Sequence, residues 1–252
     1  MVRGESPLFF ISNMGIKSMV VKLIYGEGLL KIYERALVPH VVKFFQKRGY
    51  IVFTEQYIGY GRADVVSIIL NENEVQKRIE HKIPRLPIKT LLRIMRILDK
   101  QGEMSIKEIA EFLGYSSSYI RNIITCVNPL YLLNENGIIR KIKDYTPFTY
   151  ETIAIEVKVR DWKMGFIQAY QYLLATHKSY LAIYERNYKL IPEEVLNWSR
   201  NKGIGILTID ENGVVKEKVP AKKSGPRSSS AYYKFVESLW EKVLSTLDHL
   251  SR

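Results

Sequence analysis

The chain holds one cysteine, Cys126, in 252 residues. One thiol excludes an internal disulfide and a multi-thiolate zinc site. It points to a reducing interior, and a cytoplasmic location is the expectation. The run of about 18 apolar residues that a membrane helix needs is missing. The opening MVRGESPLFF is too polar for a secretory signal. The four histidines, His40, His81, His177 and His249, lack the spacing of a zinc ligand set. Acidic residues are also in short supply: 26 Asp and Glu face 38 Lys and Arg, a net charge of +12. An excess of that sign favours a polyanionic partner, nucleic acid first, although it also fits a basic surface without one. With 46% hydrophobic and 25% charged residues, the chain is not a disordered one. Its length suits one large domain or two small ones.

Prolines and a change in pattern divide it. Ile83-Pro84-Arg85-Leu86-Pro87 interrupts helix and sheet alike, and Pro147 marks a second boundary. The expected organisation is a first part over 1–83, an inserted domain over 84–146, and a second part over 147–252. Outside the insert, helix and strand patterns alternate. Apolar spacing predicts a helix over Leu29–Lys47, kinked or split at Pro39 and stopped by Gly49. Strands are expected at Tyr50–Phe53, Ala63–Leu70, Ile153–Val159, Ser179–Tyr184 and Ile204–Ile209. Further helices are expected at Trp162–Thr176, Pro192–Asn201 and Ala231–Leu250. This alternation implies an α/β fold, a mixed sheet flanked by helices. Lys216 to Arg227, rich in lysine and ending in Gly, Pro and Ser, reads as a mobile basic loop.

The insert reads as a winged helix. Ser105 and Glu108 form a capping box for a helix bearing Ile106, Ile109, Ala110 and Leu113. Gly114 turns the chain, and Ser116 caps a third helix whose inner face is Ile120, Ile123, Ile124 and Val127. The spacing of Ala110, Gly114 and Ile120 is that of a helix-turn-helix: a close crossing, a turn with positive φ and an apolar plug. The outer face carries Ser117, Ser118, Arg121 and Asn122, suited to phosphates and base edges. Asn136-Gly137 is a hairpin turn, and Arg140, Lys141 and Lys143 make the return strand of the wing basic. The alternative is a three-helix module that meets protein instead of DNA. Cys126, beside the inward residues, reads as a small apolar side chain.

Ile153-Ala154-Ile155-Glu156-Val157-Lys158-Val159 is the most informative segment. Side chains alternate across a strand, so Glu156 and Lys158 share one face. Charges on a strand otherwise fit for burial are costly unless paired or bound to metal. The pattern itself recurs at Glu80-x-Lys82 and Asp161-x-Lys163, but neither lies in an alternating apolar strand. Asp64 opens another Val-rich strand after Gly59-Tyr60-Gly61-Arg62 and could be set beside Glu156. Two carboxylates and a backbone carbonyl make an oxygen-rich site suited to Mg²⁺.

In the order of Glu34 on a helix, Tyr50–Phe53, Asp64, Glu156-x-Lys158, a helix and Ser179–Tyr184, the chain resembles the PD-(D/E)xK, restriction-endonuclease-like, nuclease superfamily. Gln168-x-x-x-Tyr172 is similar to an element of RecB-like members. Gly-Tyr-Ile-Val-Phe before Gly-Arg-Ala-Asp resembles archaeal Holliday-junction resolvases. Ala63 stands where the family name has proline, and the winged helix interrupts the nuclease pattern between Asp64 and Glu156. A transposon-end endonuclease type also joins the two folds, with the winged helix after the catalytic domain.

The resemblance implies a restriction-endonuclease-like fold and a Mg²⁺- or Mn²⁺-dependent deoxyribonuclease. Asp64, Glu156, the Val157 carbonyl and Glu34 would hold metal. Lys158 would orient water or stabilise charge, and Gln168 would fix the lysine or a phosphate. For each of these residues a purely structural charge or packing role is the alternative. DNA is the expected partner, no membrane is, and cutting both strands implies a homodimer. The competing functions are a non-cleaving DNA-binding regulator or architectural protein on the same fold, and a transposon-end or junction-specific nuclease subunit.

Overall fold

A computed structural model describes residues 33–59 and 61–250. Leu29 and Leu30, expected in the first helix, lie outside the described residues. The elements run α1 (Glu34–Gln46), β1 (Ile51–Tyr57), β2 (Arg62–Leu70) and α2 (Glu72–Glu80). Then come α3 (Ile88–Gln101), β3 (Glu103–Ser105), α4 (Ile106–Leu113), α5 (Ser117–Val127), β4 (Leu132–Glu135) and β5 (Ile138–Lys141). The chain returns through β6 (Thr149–Lys158), α6 (Trp162–Tyr172), β7 (Lys178–Tyr184), α7 (Glu185–Tyr188), α8 (Glu193–Lys202), β8 (Ile204–Ile209), β9 (Val215–Val219) and α9 (Ser229–Leu250).

Six strands form one mixed sheet in the order β1-β2-β6-β7-β8-β9. β1, β2 and β6 pair antiparallel, β6, β7 and β8 parallel, and β9 returns antiparallel at the edge. On one face α9 lays Phe235, Leu239, Trp240 and Val243 over Val66, Ile68 and Ala154. Beside it, α6 and α8 place Phe166, Leu173 and Leu196 over Leu181, Ile183 and Ile206. The Phe45 ring of α1 meets Tyr180, the β7 neighbour of Leu181, so α1 covers the opposite face.

Two readings of the sequence need correction. Pro39 neither ends nor splits α1, whose buried stripe Leu37, Val41 and Phe45 runs past it. The basic stretch 216–227 is no mobile loop. Its first part is β9, and its backbone is then tied down by Lys222 to Gly203, Ser224 to His177 and Arg227 to Leu173. An edge strand dressed with lysines is a common way to block further pairing. The helix α2 was not expected at all, because its buried face presents Glu74 and Arg78 beside Val75.

The insert has its own apolar core, from Ile83 through Tyr145, apart from the core under α9; Tyr233 packs against both. The connector 83–87 is not a loose linker. Arg78, fully buried, pairs with Glu237 of α9 through its two terminal guanidinium nitrogens, at 2.8 and 3.1 Å. Arg78 also donates to the Pro84 carbonyl at 2.8 Å, and Glu237 accepts from Leu86 N (2.8 Å) and Tyr145 OH (2.6 Å). Trp240 Nε1 donates to the Ile83 carbonyl at 3.0 Å, and its ring lies against the Arg78 guanidinium. Both crossings between insert and sheet are thus held by the same carboxylate.

Candidate active site and nucleic-acid interface

The Val65–Ile155 pairing between β2 and β6 brings Asp64 alongside Glu156. Asp64 Oδ2 accepts the Val157 N–H at 2.7 Å. Glu156, only 2% exposed, holds Lys158 Nζ at 2.7 Å with Oε1 and the Tyr172 hydroxyl at 2.7 Å with Oε2. The Arg62 carbonyl lies 3.0 Å from the same hydroxyl and shares its single hydrogen as the longer arm, tying α6 to the start of β2. Gly165 makes the approach of α6 possible: a Cβ there would stand 2.5 Å from Leu181 and 3.0 Å from Lys158 Cγ. Glu34, at the first turn of α1, reaches Lys158 Nζ at 3.7 Å.

The electrostatics are those of a crowded carboxylate pair. Burial, then the Glu156 charge, pushes the Asp64 carboxyl up to about 6, against the pull of the Val157 N–H and Lys158. Burial works to lower the Lys158 ammonium, but the hydrogen bond and charge of Glu156, with Glu34 and Asp64 behind it, hold it above its ordinary value. Burial and Glu156 likewise hold the Tyr172 hydroxyl protonated, as a donor.

Among the described residues no group of three or more His, Cys, Asp or Glu side chains forms a ready metal cage. Mg²⁺ is commonly bound by only one or two carboxylates with waters completing its shell. The Asp64–Glu156 pair fits that pattern: two hard oxygen donors whose mutual repulsion a divalent cation would relieve.

The expected residues separate on inspection. Asp64, Glu156, Lys158 and Tyr172 come together. Val157 contributes its N–H to Asp64. Glu34 stands behind Lys158 as its ion-pair partner. Gln168, half-buried one turn before Tyr172, makes no side-chain hydrogen bond among the described residues. Arg62 pairs with Glu55 at 2.7 Å. Of the two other acid-x-lysine matches, Glu80 and Lys82 fall at the end of α2, and Asp161 caps α6 through Met164 N at 3.1 Å.

In the insert, local chemistry builds α5. The Ser105–Glu108 capping box is formed at α4. Gly114 ends α4 at φ +72°, and Ser116 accepts from Tyr119 N to start α5. Asn136 and Gly137, at φ +53° and +88°, make the tight wing turn. Ala110 and Ile120 are buried, while Ser117, Ser118, Arg121 and Asn122 are all exposed. The basic residues of the wing have protein partners. Arg140 pairs with Glu103 and Glu135, Lys141 with Asp99 and Asp144, and Lys143 with Glu74 at 3.2 Å. Its basic residues also meet protein carboxylates, in pairs that are partly exposed to solvent. The pattern reading overlooked an exposed aromatic pair at the head of α5, Tyr115 and Tyr119, with ring centroids 5.1 Å apart and Arg93 against Tyr115. Tyrosines flanking a serine cap were the available signal.

No helix of the described residues is long and apolar enough to cross a membrane. Comparison with curated proteins and with solved structures returns no match. Residues 89–125, from the start of α3 to the end of α5, match the winged helix-turn-helix DNA-binding family, so this segment is a winged helix-turn-helix of DNA-binding type within a mixed α/β protein.

Proposed function

We propose that this chain is a divalent-metal-dependent DNA endonuclease, with a restriction-endonuclease-like sheet that cuts and a winged helix that places it on DNA. The observation that carries this reading is the Asp64–Glu156 pair, half-buried and buried respectively, with Lys158 at its side, gathered from β2 and β6. The chain order around it supports the same reading, since the Glu34 helix, β1, Asp64 on β2, Glu156 and Lys158 on β6, α6 and β7 follow in the order on which the resemblance rests.

Asp64, Glu156 and the Val157 carbonyl would hold Mg²⁺ or Mn²⁺. The chemistry such an ion supplies is charge neutralisation at the phosphate and activation of water. The rest falls to the chain's own groups. Lys158, held charged, donates to a phosphate oxygen or to the attacking water and stabilises developing negative charge. Tyr172 and the Val157 N–H fix the two carboxylates. Glu34 positions Lys158 from behind. Gln168 has a free amide to offer a phosphate. Two active sites across a duplex would require a twofold homodimer.

The test is cleavage of labelled duplex, four-way junction, flap and single strand with Mg²⁺, Mn²⁺ or EDTA, beside Glu156→Ala and Lys158→Ala. Metal-dependent cutting lost in both variants establishes the activity. A second reading, a non-cleaving DNA-binding regulator, is favoured by one observation: both Glu156 oxygens already have protein partners. Salt-sensitive binding without cutting of any substrate would select it.

A further inference from the structure

We propose that the cleft between β1 and α9 binds an unpaired nucleic-acid strand, running from the carboxylate site toward the connector of the winged helix. The direction of the strand rests on the nuclease reading, whereas the binding itself does not.

The cleft encloses about 570 Å³, within the range that accommodates small-molecule-sized groups. Glu55 and Tyr57 form one wall, Ser228, Lys234 and Lys242 the other, and Arg85 closes it from the connector. Its charge is positive. Arg85 and Lys234 are exposed and have no ion-pair partner among the described residues. Lys242 donates at 2.6 Å to Gln56, a neutral amide, and so adds its full charge. The one acid on the wall, Glu55, is matched by Arg62 at 2.7 Å.

Tyr57 adds a different kind of contact. It is 64% exposed, yet its hydroxyl is tied to the Gly59 carbonyl at 3.0 Å. An exposed aromatic ring beside a row of cations is the combination that binds single strands: the ring stacks on a base and the cations follow the backbone. A paired base already has its faces covered by its neighbours in the duplex, so an unpaired strand is the better fit.

Position supplies the last argument. At one end, Glu55 holds Arg62, whose carbonyl accepts from Tyr172, which in turn holds Glu156. At the other end, Arg85 stands two residues before Pro87, the N-cap of α3. A strand lying in the cleft therefore touches the surroundings of the carboxylates and the entrance to the winged helix.

The experiment is fluorescence anisotropy on the full chain in EDTA. The probes are labelled single strand, blunt duplex, and duplex with a single-stranded overhang. Arg85→Glu with Lys234→Glu is expected to weaken single-strand and overhang binding at least 10-fold and blunt-duplex binding less than 3-fold. Tyr57→Ala is expected to weaken single-strand binding about 5- to 100-fold, the loss of one stacked base. Circular dichroism verifies that each variant is folded; Arg85→Gln with Lys234→Gln replaces the reversal if it is not. Unchanged single-strand affinity, an equal loss on blunt duplex, or no single-strand binding by the parent chain would each overturn the proposal. Selective loss in EDTA from a chain that cuts nothing in Mg²⁺ would retain the groove and reject the nuclease, and cutting with unchanged strand affinity would do the reverse.

Discussion

Tyr172 donates its hydroxyl to Glu156 Oε2 at 2.7 Å, joining α6 to the middle of the sheet. The bond matters because Glu156 is almost wholly buried and its other oxygen is held by Lys158. Removing the donor leaves a buried carboxylate oxygen unsatisfied, which costs about 1–3 kcal/mol. Tyr172→Phe should therefore lower the denaturation midpoint in urea. It should also reduce metal-dependent cleavage while duplex affinity in EDTA stays unchanged.

Glu156→Gln and Lys158→Ala should each reduce cleavage about 100-fold or more, the scale of losing one charge-stabilising group. Duplex binding in EDTA should remain within 2-fold of the parent chain, because α5 lies in a separate domain core. Equal losses in binding and cleavage would show that these residues serve the fold and not the reaction.

Asp64 makes stability depend on pH. Its carboxyl sits at about 6 in the folded chain against an ordinary value of 3.8, so the folded state binds the proton more tightly. The stabilising contribution is complete below 3.8 and is lost as pH rises through about 6. After allowance for solvent screening, the cost at pH 7.5 is about 1 kcal/mol. In EDTA, Asp64→Asn should raise Tm by about 2–4 °C at pH 7.5 and by nothing at pH 4. Added Mg²⁺ should raise the Tm of the parent chain and not that of the variant.

The Arg78–Glu237 pair should be the costliest single site to break. Arg78→Ala leaves a buried carboxylate without its partner, a loss of about 3–5 kcal/mol. Arg78→Met with Glu237→Leu should recover part of that loss in equilibrium unfolding. Limited proteolysis should then cut the connector 83–87 faster in the single variant than in the parent chain.

Arg121 is the exposed cation of α5, the proposed recognition helix. Arg121→Ala should weaken duplex binding by about 1–3 kcal/mol if it reads a base, with the preference at that position relaxed. If it meets only phosphate, binding should fall uniformly across sequences and the salt slope should shrink by about 1. Competition among duplexes at several salt concentrations separates the two.

The winged helix was the most legible part of the chain because its signals are local. The capping box, the left-handed Gly114 and the Asn136-Gly137 turn each act within four residues. The strand carrying Glu156 and Lys158 was legible for the same reason, since alternation on a strand has a period of two. By contrast, α2 escaped notice because Arg78 and Glu74 occupy its buried face, where a periodicity reading looks for apolar residues. β9 escaped because an edge strand needs only one satisfied side and carries lysines on the other. The bracing of the wing escaped because Asp99, Glu103 and Glu74 come from elements far from Arg140, Lys141 and Lys143 in the chain.

Sequence alone was enough for the helix caps, the turns, the alternating strands and the net positive charge. All of these follow from backbone conformations and side-chain periods that neighbouring residues set among themselves. Folding in three dimensions chose the companions of the buried and half-buried charges. Asp64 reaches the Val157 N–H across 93 positions, and Arg78 reaches Glu237 across 159. Such partners cannot be read from spacing. A charge withdrawn from water must be matched by whichever group the sheet register and helix packing bring to it, and that match exists only once the sheet and its helices have assembled.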